Sequence, residues 1–285
     1  MKFTKMHGLG NDYVYINCLK ETIKDRSALA RFVSNRNFGV GSDGLICIDK
    51  SDVADFKMDM YNADGSSSAM CGNGIRCVGK FVYDKGLTNK TTITVESGGE
   101  IKTLELFLKN NVVTSVRVDM GKPILESRLI PIASDLENYI DQPIVVKGKE
   151  YRVTCVSMGN PHAVIFMDEI AGLDLEDIGP LFERNPLFPE RVNTEFVRVI
   201  DANTLEMRVW ERGSGETLAC GTGACAVLVA AVLNGHCDAH TVVTLRGGYL
   251  DIFWDREESG HVFMTGPAVT VFEGEFTINL EEERL

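Results

Sequence analysis

The sequence has no two cysteines in a CxxC spacing, no long apolar run and no surplus of positive charge. Each absence excludes a class of protein. The eight cysteines (18, 47, 71, 77, 155, 220, 225 and 237) are scattered, and the chain opens MKFTKMHGLGNDY, without the apolar core of an export signal. Disulfide frameworks belong to small exported domains, so free thiols in a reducing cytoplasm are expected. A structural zinc site wants closely spaced ligand pairs, and Cys71/Cys77 and Cys220/Cys225 are too far apart, so no metal is expected. The longest apolar run, Ala224 to Leu233, has ten residues, far short of a membrane span. A net charge of −12 argues against nucleic acid or an anionic membrane as partner.

What remains is an ordinary globular composition, 44% hydrophobic and 25% charged, over 285 residues, a length that favours about two domains. Two stretches dominate it. Glu211 to Gly235 reads ERGSGETLACGTGACAVLVAAVLNG, and Asn62 to Gly86 reads NADGSSSAMCGNGIRCVGKFVYDKG. At a constant offset of 149, Cys71 falls on Cys220, Gly72 on Gly221, Gly74 on Gly223 and Gly86 on Gly235. The same offset carries Gly10-Asn11 onto Gly159-Asn160, Gly44 onto Asn193, Met58 onto Met207, Tyr61 onto Trp210 and Gly98-Gly99 onto Gly247-Gly248. The chain is therefore read as an internal duplication giving two similar halves.

Alternation marks most segments of each half as strands, for instance around Phe56–Tyr61, Val112–Met120 and Tyr249–Trp254. Helices are expected over 25–37, with Asp25 as N-cap, over 73–83, after Cys220, and weakly over 175–182. The segment from Gly121 to about Lys149, with Pro123, Pro131 and Pro143, reads as a less patterned connection. The tail from Val269 reads as a strand without a counterpart in the repeat. The fold class is α+β: two pseudo-symmetric halves, each a curved mixed sheet or barrel around a central helix. The helix after Cys220 is apolar on every side and should be enclosed. The halves are drawn at 1–121 and 122–267, with the active site expected in the cleft between them.

Cys71 and Cys220 each stand where a glycine turn opens a helix. Free backbone N–H groups and partial positive charge at that position favour a thiolate, so depressed thiol pKa values are expected. The small residues after each cysteine, Gly-Asn-Gly and Gly-Thr-Gly, let a carboxylate approach the N–H groups. No Lys-Ser/Thr follows the glycines, so this is not a P-loop; Gly221-x-Gly223-x-x-Ala226 matches a dinucleotide fingerprint only weakly. Two thiols on opposite faces of one carbon could invert it, one removing the α-proton and the other delivering a proton. Residue chemistry alone leaves inversion, thiol redox chemistry and a structural pair open.

In GLGNDY (8–13), YNADG (61–65), MCGNGIRC (70–77), GNPH (159–162), RVNTEF (191–196) and ERGSGETLACGTGAC (211–225), the chain resembles the diaminopimelate epimerase family. The resemblance implies a cofactor-independent epimerase interconverting LL- and meso-diaminopimelate, without pyridoxal phosphate, on the path to lysine and peptidoglycan precursors. It also implies that the C-terminal strand, about 268–285, returns to the first half. It implies Cys71 and Cys220 as the acid/base thiols and the N–H groups of Gly72, Asn73, Gly221 and Thr222 as cradle for the reacting carboxylate. It gives Asn62, Asn160, Asn193, Glu211 and Arg212 the substrate's distal end, with Asn11 also lining the pocket. Gly44 departs from the pattern, since some members carry glutamine there. The expected partner is a small-molecule amino acid; a homodimer is compatible with a sequence that does not set oligomeric state. A proline or hydroxyproline racemase on the same fold is the alternative, and its substrates lack the second amino-acid end.

Other residues have plainer readings. Cys18, Cys47, Cys155 and Cys237 read as small buried hydrophobes, and Cys77 and Cys225 as packing inside the helices. His162 stands either near a thiol or in a structural hydrogen bond; His7, His236, His240 and His261 show no ligand spacing. Asp12, Asp43 and Asp64 read as turn caps. The acidic end, Glu281 to Arg284, reads as solvated.

Overall fold

A computed structural model describes residues 1–68 and 70–277. Ile278 and the acidic end lie outside the described residues. The chain divides into two compact units, Met1–Val118 with the segment from Gly266, and Asp119–Thr265. Among the described residues, no helix is long and apolar enough to cross a membrane.

Among the described residues of the first unit, the longer strands pair in the order Val269–Glu275, Lys2–Gly8, Asn11–Asn17, Gly44–Asp49, Phe56–Asn62, Thr92–Ser97, Glu100–Lys109 and Val112–Gly121. Neighbours are antiparallel except at Asn11–Asn17 with Gly44–Asp49 and at Phe56–Asn62 with Thr92–Ser97, which are parallel. The second unit repeats this pattern with Gln142–Val146, Lys149–Ser157, Pro161–Phe166, Asn193–Asp201, Thr204–Glu211, His240–Leu245, Gly248–Trp254 and Val262–Pro267. Its parallel pairs fall at the equivalent places.

Two expectations are corrected here. The less patterned segment 121–149, read as a connection, contains the strand Gln142–Val146, whose Pro143 masks it in sequence. That strand is also the counterpart the tail seemed to lack. It flanks Lys149–Ser157 as Val269–Glu275 flanks Lys2–Gly8, but it precedes its unit in the chain instead of following it. A constant offset cannot reveal a pair that has changed ends.

Among the described residues, four α-helices complete the units. Helix α1 (Arg26–Ser34) is capped by Asp25, which accepts from the Ala28 N–H. Helix α2 (Gly72–Asp84) follows in the first unit; α3 (Leu175–Glu183), capped by Asp174, and α4 (Gly221–Leu233) are their equivalents in the second. Leu29, Ala30 and Val33 of α1 pack on Val14, Ile16 and Leu45, and Leu175 and Phe182 of α3 pack on Phe196 and Trp210. Each such fully buried large side chain contributes roughly 1.5–3 kcal/mol.

Helices α2 and α4 lie against the inner faces of their sheets. Helix α4 touches Lys149–Ser157, Pro161–Phe166 and Asn193–Asp201 and also the distant Gly248–Trp254, so the sheet curves round it. Its run of Ala, Val and Leu is buried from Ala224 to Ala231, as an apolar helix must be. Helix α2 is enclosed as well, although it carries two cations. Arg76 is fully buried and donates to Gly72 O (3.0 Å), Asn73 Oδ1 (2.7 Å) and Pro267 O (3.2 Å). Lys80 is buried with Nζ 2.6 Å from both Asp84 Oδ2 and Val113 O. Both helices end alike: Gly86 and Gly235 take φ of 65° and 73°, and their N–H groups return to Tyr83 O and Val232 O.

Candidate active site

In each unit a cysteine is the N-cap of the enclosed helix. Cys71 has extended backbone (φ −137°, ψ 115°), and its Sγ accepts from the Gly74 N–H at 3.3 Å. Cys220 matches it (φ −117°, ψ 112°), with Sγ accepting from the Gly223 N–H at 3.4 Å. A sulfur thus takes the cap usually filled by a Ser or Asp oxygen, which ties the thiol to the first turn and its outward N–H groups. Gly72, Asn73, Gly221 and Thr222 form these first turns.

Around Cys71 the setting is amide and phenol. The Cys71 thiol donates to Asn11 Oδ1 at 3.2 Å, while Asn11 Nδ2 donates to Asp43 Oδ2 at 2.9 Å. Asp43 also accepts from the Asp12 N–H (3.1 Å) and from Arg36 Nη2 (2.9 Å), so it does more than cap a turn: it fixes which end of Asn11 faces the thiol. Burial pushes the Asp12 carboxyl up, but Arg36 and Lys5 outweigh it and hold Asp12 below the usual range. Burial, and then the neighbouring Cys71, holds the Tyr13 phenol well above its ordinary range. The Asn73 side chain turns inward to Arg76, and Asn62 Nδ2 donates to Ser66 Oγ at 3.0 Å. At Gly44 a Cβ would stand 2.1 Å from Tyr61 O and 2.8 Å from the Tyr13 ring. The position has no room for a side chain unless both move.

Around Cys220 the setting is ionisable. Glu211 shares a hydrogen bond with Cys220, and its Oε1 accepts from Thr217 Oγ1. The Cys220 sulfur lies 3.5 Å from Thr222 Oγ1. His162, fully buried, contacts Glu195 Oε1 through Nδ1 (2.6 Å) and Asn160 Oδ1 through Nε2 (3.0 Å). Asn193 Oδ1 accepts from the Arg212 N–H at 2.8 Å, its Nδ2 donates to Pro161 O at 3.2 Å, and Arg212 Nη1 donates to Glu190 O at 2.9 Å. The second unit therefore gathers Asn160, His162, Asn193, Glu211, Arg212, Cys220 and Thr222 into one region.

The expected lowering of both thiol pKa values does not hold at Cys220. Burial, and then the carboxylates Glu211 and Glu195, push this thiol well above its ordinary range, outweighing the helix N-terminus. Burial also pushes the Glu211 carboxyl up, against hydrogen bonds from Thr217 and Cys220. Cys220 thus rests as a thiol with a proton to give.

Two residues at these sites escape a reading by motif alone. Glu195 is fully buried beside Cys220, and its signal is only a glutamate between Thr194 and Phe196 in a stretch that reads as a strand. Arg76, within GIRC, is masked by the ease with which an arginine reads as helix surface. The plainer assignments fare variously: Cys47 and Cys155 are buried, Cys18 is half-buried and hydrogen-bonded to Cys47, and His240 and His261 contact Asp251 and Asp119. Among the described residues, no three His, Cys, Asp or Glu side chains converge to hold a metal.

A family model described as diaminopimelate epimerase matches residues 3–126 and 154–271. The chain is 58% identical over 279 residues to a diaminopimelate epimerase of Acetivibrio thermocellus, covering 98% of this chain and 99% of that one. It is 56% identical over 278 residues to one of Methanococcus maripaludis, covering 98% and 100%. Two solved structures share the fold at low identity. A hydroxyproline epimerase from Agrobacterium vitis aligns with a TM-score of 0.67 at 15% identity over 96% of this chain and 90% of that one. A PhzF-family phenazine biosynthesis protein of Bacillus anthracis aligns with 0.67 at 16% over 98% and 99%.

Proposed function

The chain belongs to the diaminopimelate epimerase family, and we infer that it interconverts LL- and meso-diaminopimelate by acid/base chemistry at two thiols. The observation that carries this reading is the repeated N-cap cysteine, a thiol bonded to the first turn of an enclosed helix in each unit. Inversion at an α-carbon needs a base on one face and an acid on the other. Cys71 as thiolate removes the α-proton and Cys220 as thiol delivers its own to the opposite face; the reverse reaction exchanges the roles. The carboxylate beside the reacting carbon gains negative charge as the proton leaves. Backbone N–H groups of Gly72, Asn73, Gly221 and Thr222 are the groups that would stabilise it.

The substrate's far end, an ammonium and a carboxylate, suits Glu211 and the amides of Asn62, Asn160 and Asn193 together with Arg212, and Asn11 orients Cys71. Proline-type substrates have no such end, which leaves this polar set without a purpose. The setting is taken to be cytoplasmic, where thiols stay reduced, and a homodimer is its simplest assembly.

The test is proton NMR of LL-diaminopimelate with the reduced protein in D2O. Appearance of the meso isomer is expected. No reaction, with the thiols shown to be free, would discard the reading and turn attention to proline analogues.

A further inference from the structure

Behind Cys220 the strand Asn193–Asp201 buries a carboxyl group that the expected site residues do not include. Glu195 and His162 are both fully buried, with 2.6 Å between Oε1 and Nδ1. On the far side of the ring, Nε2 lies 3.0 Å from Asn160 Oδ1. An amide oxygen only accepts, so Nε2 carries a hydrogen and donates it. One more proton lies between Nδ1 and Oε1, on the imidazolium or on the carboxyl, and in both cases the ring is bonded at both nitrogens. The remaining oxygen of the pair, Glu195 Oε2, has no hydrogen-bond partner among the described residues, a cost that packing alone gives no reason to bear.

The first unit shows what packing alone requires. At the repeat-equivalent position stands Ile46, whose Cδ1 lies 2.7 Å from the Cβ position of Gly74; Glu195 Oε1 lies 2.7 Å from that of Gly223. In place of His162 stands Tyr13, and the asparagine there, Asn11, is oriented by Asp43. Each unit thus has its own device for turning an asparagine amide.

We propose that Glu195 is a positioning residue of the reaction: by bonding His162 it fixes the Asn160 amide with its oxygen toward the imidazole and its NH2 end toward the substrate's distal carboxylate. This rests on the proposed function, in which Asn160 serves the distal end. The other titratable groups facing the pair are Cys155, Glu211 and Cys220, and the variants below leave them in place.

The experiment is a kinetic cycle with diaminopimelate on Glu195→Ile, Glu195→Gln, Asn160→Ala and the double variant Asn160→Ala/Glu195→Ile. Glu195→Ile is expected to raise KM about tenfold and change kcat by less than about threefold. Glu195→Gln keeps a hydrogen-bonding group on Nδ1 and removes the charge, and is expected to hold KM within about threefold of the unmodified protein. In the Asn160→Ala background, Glu195→Ile should add nothing further. An unchanged KM in Glu195→Ile, an equal loss in Glu195→Gln, or the same factor in the Asn160→Ala background would overturn the assignment. Should Glu195→Ile not fold, 15N spectra of the His162 ring in the unmodified protein decide: hydrogen on Nε2 is expected, and a bare Nε2 overturns it. If the unmodified protein fails to convert diaminopimelate, the proposed function falls, and those spectra still test the hydrogen-bond relay.

Discussion

The two halves build the same turn and surround it differently. In the first, the thiol donates to Asn11 and stands near Tyr13 and Ile46. In the second, the equivalent thiol is nearly sealed and faces Glu211 and Glu195, with His162 behind. Backbone geometry is duplicated because both helices need the same N-cap. The side chains around it differ: an amide and a phenol stand beside Cys71, and two carboxyl groups beside Cys220. The same divergence runs through the helices: α2 carries buried Arg76 and Lys80 where α4 carries Cys225 and Val229.

The comparison can be broken at several points. Cys71→Ala or Cys220→Ala removes one face of the acid/base pair, and each should lower the inversion rate about 10²–10⁴-fold in the NMR assay. Full activity in either variant would remove the two-thiol account. Ile46→Glu would bring the second unit's carboxyl into the first without a histidine to pair it. Leaving a buried charge uncompensated is expected to cost about 3–5 kcal/mol of stability, read from urea unfolding. If Ile46→Glu is neutral, the asymmetry behind the thiols is not electrostatic.

Arg76→Met should cost about 1–3 kcal/mol in the same measurement, because Gly72 O, Asn73 Oδ1 and Pro267 O lose a buried donor. Gly223→Ala is expected to reduce kcat more than Gly74→Ala, by about tenfold or 1.4 kcal/mol. The added Cβ would meet Glu195 Oε1 at 2.7 Å and Cys220 Sγ at 3.2 Å, whereas at Gly74 it meets a movable Ile46 methyl and Cys71 Sγ at 3.6 Å. The smallest effect is an order of labelling. Iodoacetamide should modify half-buried Cys71 before buried Cys220. A raised pKa means that Cys220 keeps its proton through the usual thiol range, so its labelling should still be climbing with pH above about 8.5. Equal rates and equal pH profiles would erase the distinction between the thiols.

Much of this was legible in the residues. The offset of 149 aligns α1 with α3 and α2 with α4, because duplicated caps, glycines and apolar positions survive in identity. Cys71 and Cys220 stand out because each opens a glycine-rich helix at the same point of the repeat. The strand Gln142–Val146 was hidden by Pro143 and by its displaced position in the repeat. The high thiol pKa at Cys220 was hidden for another reason: helix position is local and visible, whereas burial and the approach of Glu195 and Glu211 are made by tertiary structure. Glu195 itself looked like one polar residue in a strand, and only its contact with His162 gives it meaning.

In the proposed reaction the α-proton leaves to one thiol and a different proton arrives from the other. This is tested most directly by analysing the first few per cent of conversion of LL-diaminopimelate in D2O. Two thiols predict meso product already deuterated at its inverted carbon, while unreacted LL isomer keeps its α-proton. Early meso product that retains the substrate's own α-proton would show a single group serving both faces, and would contradict the account.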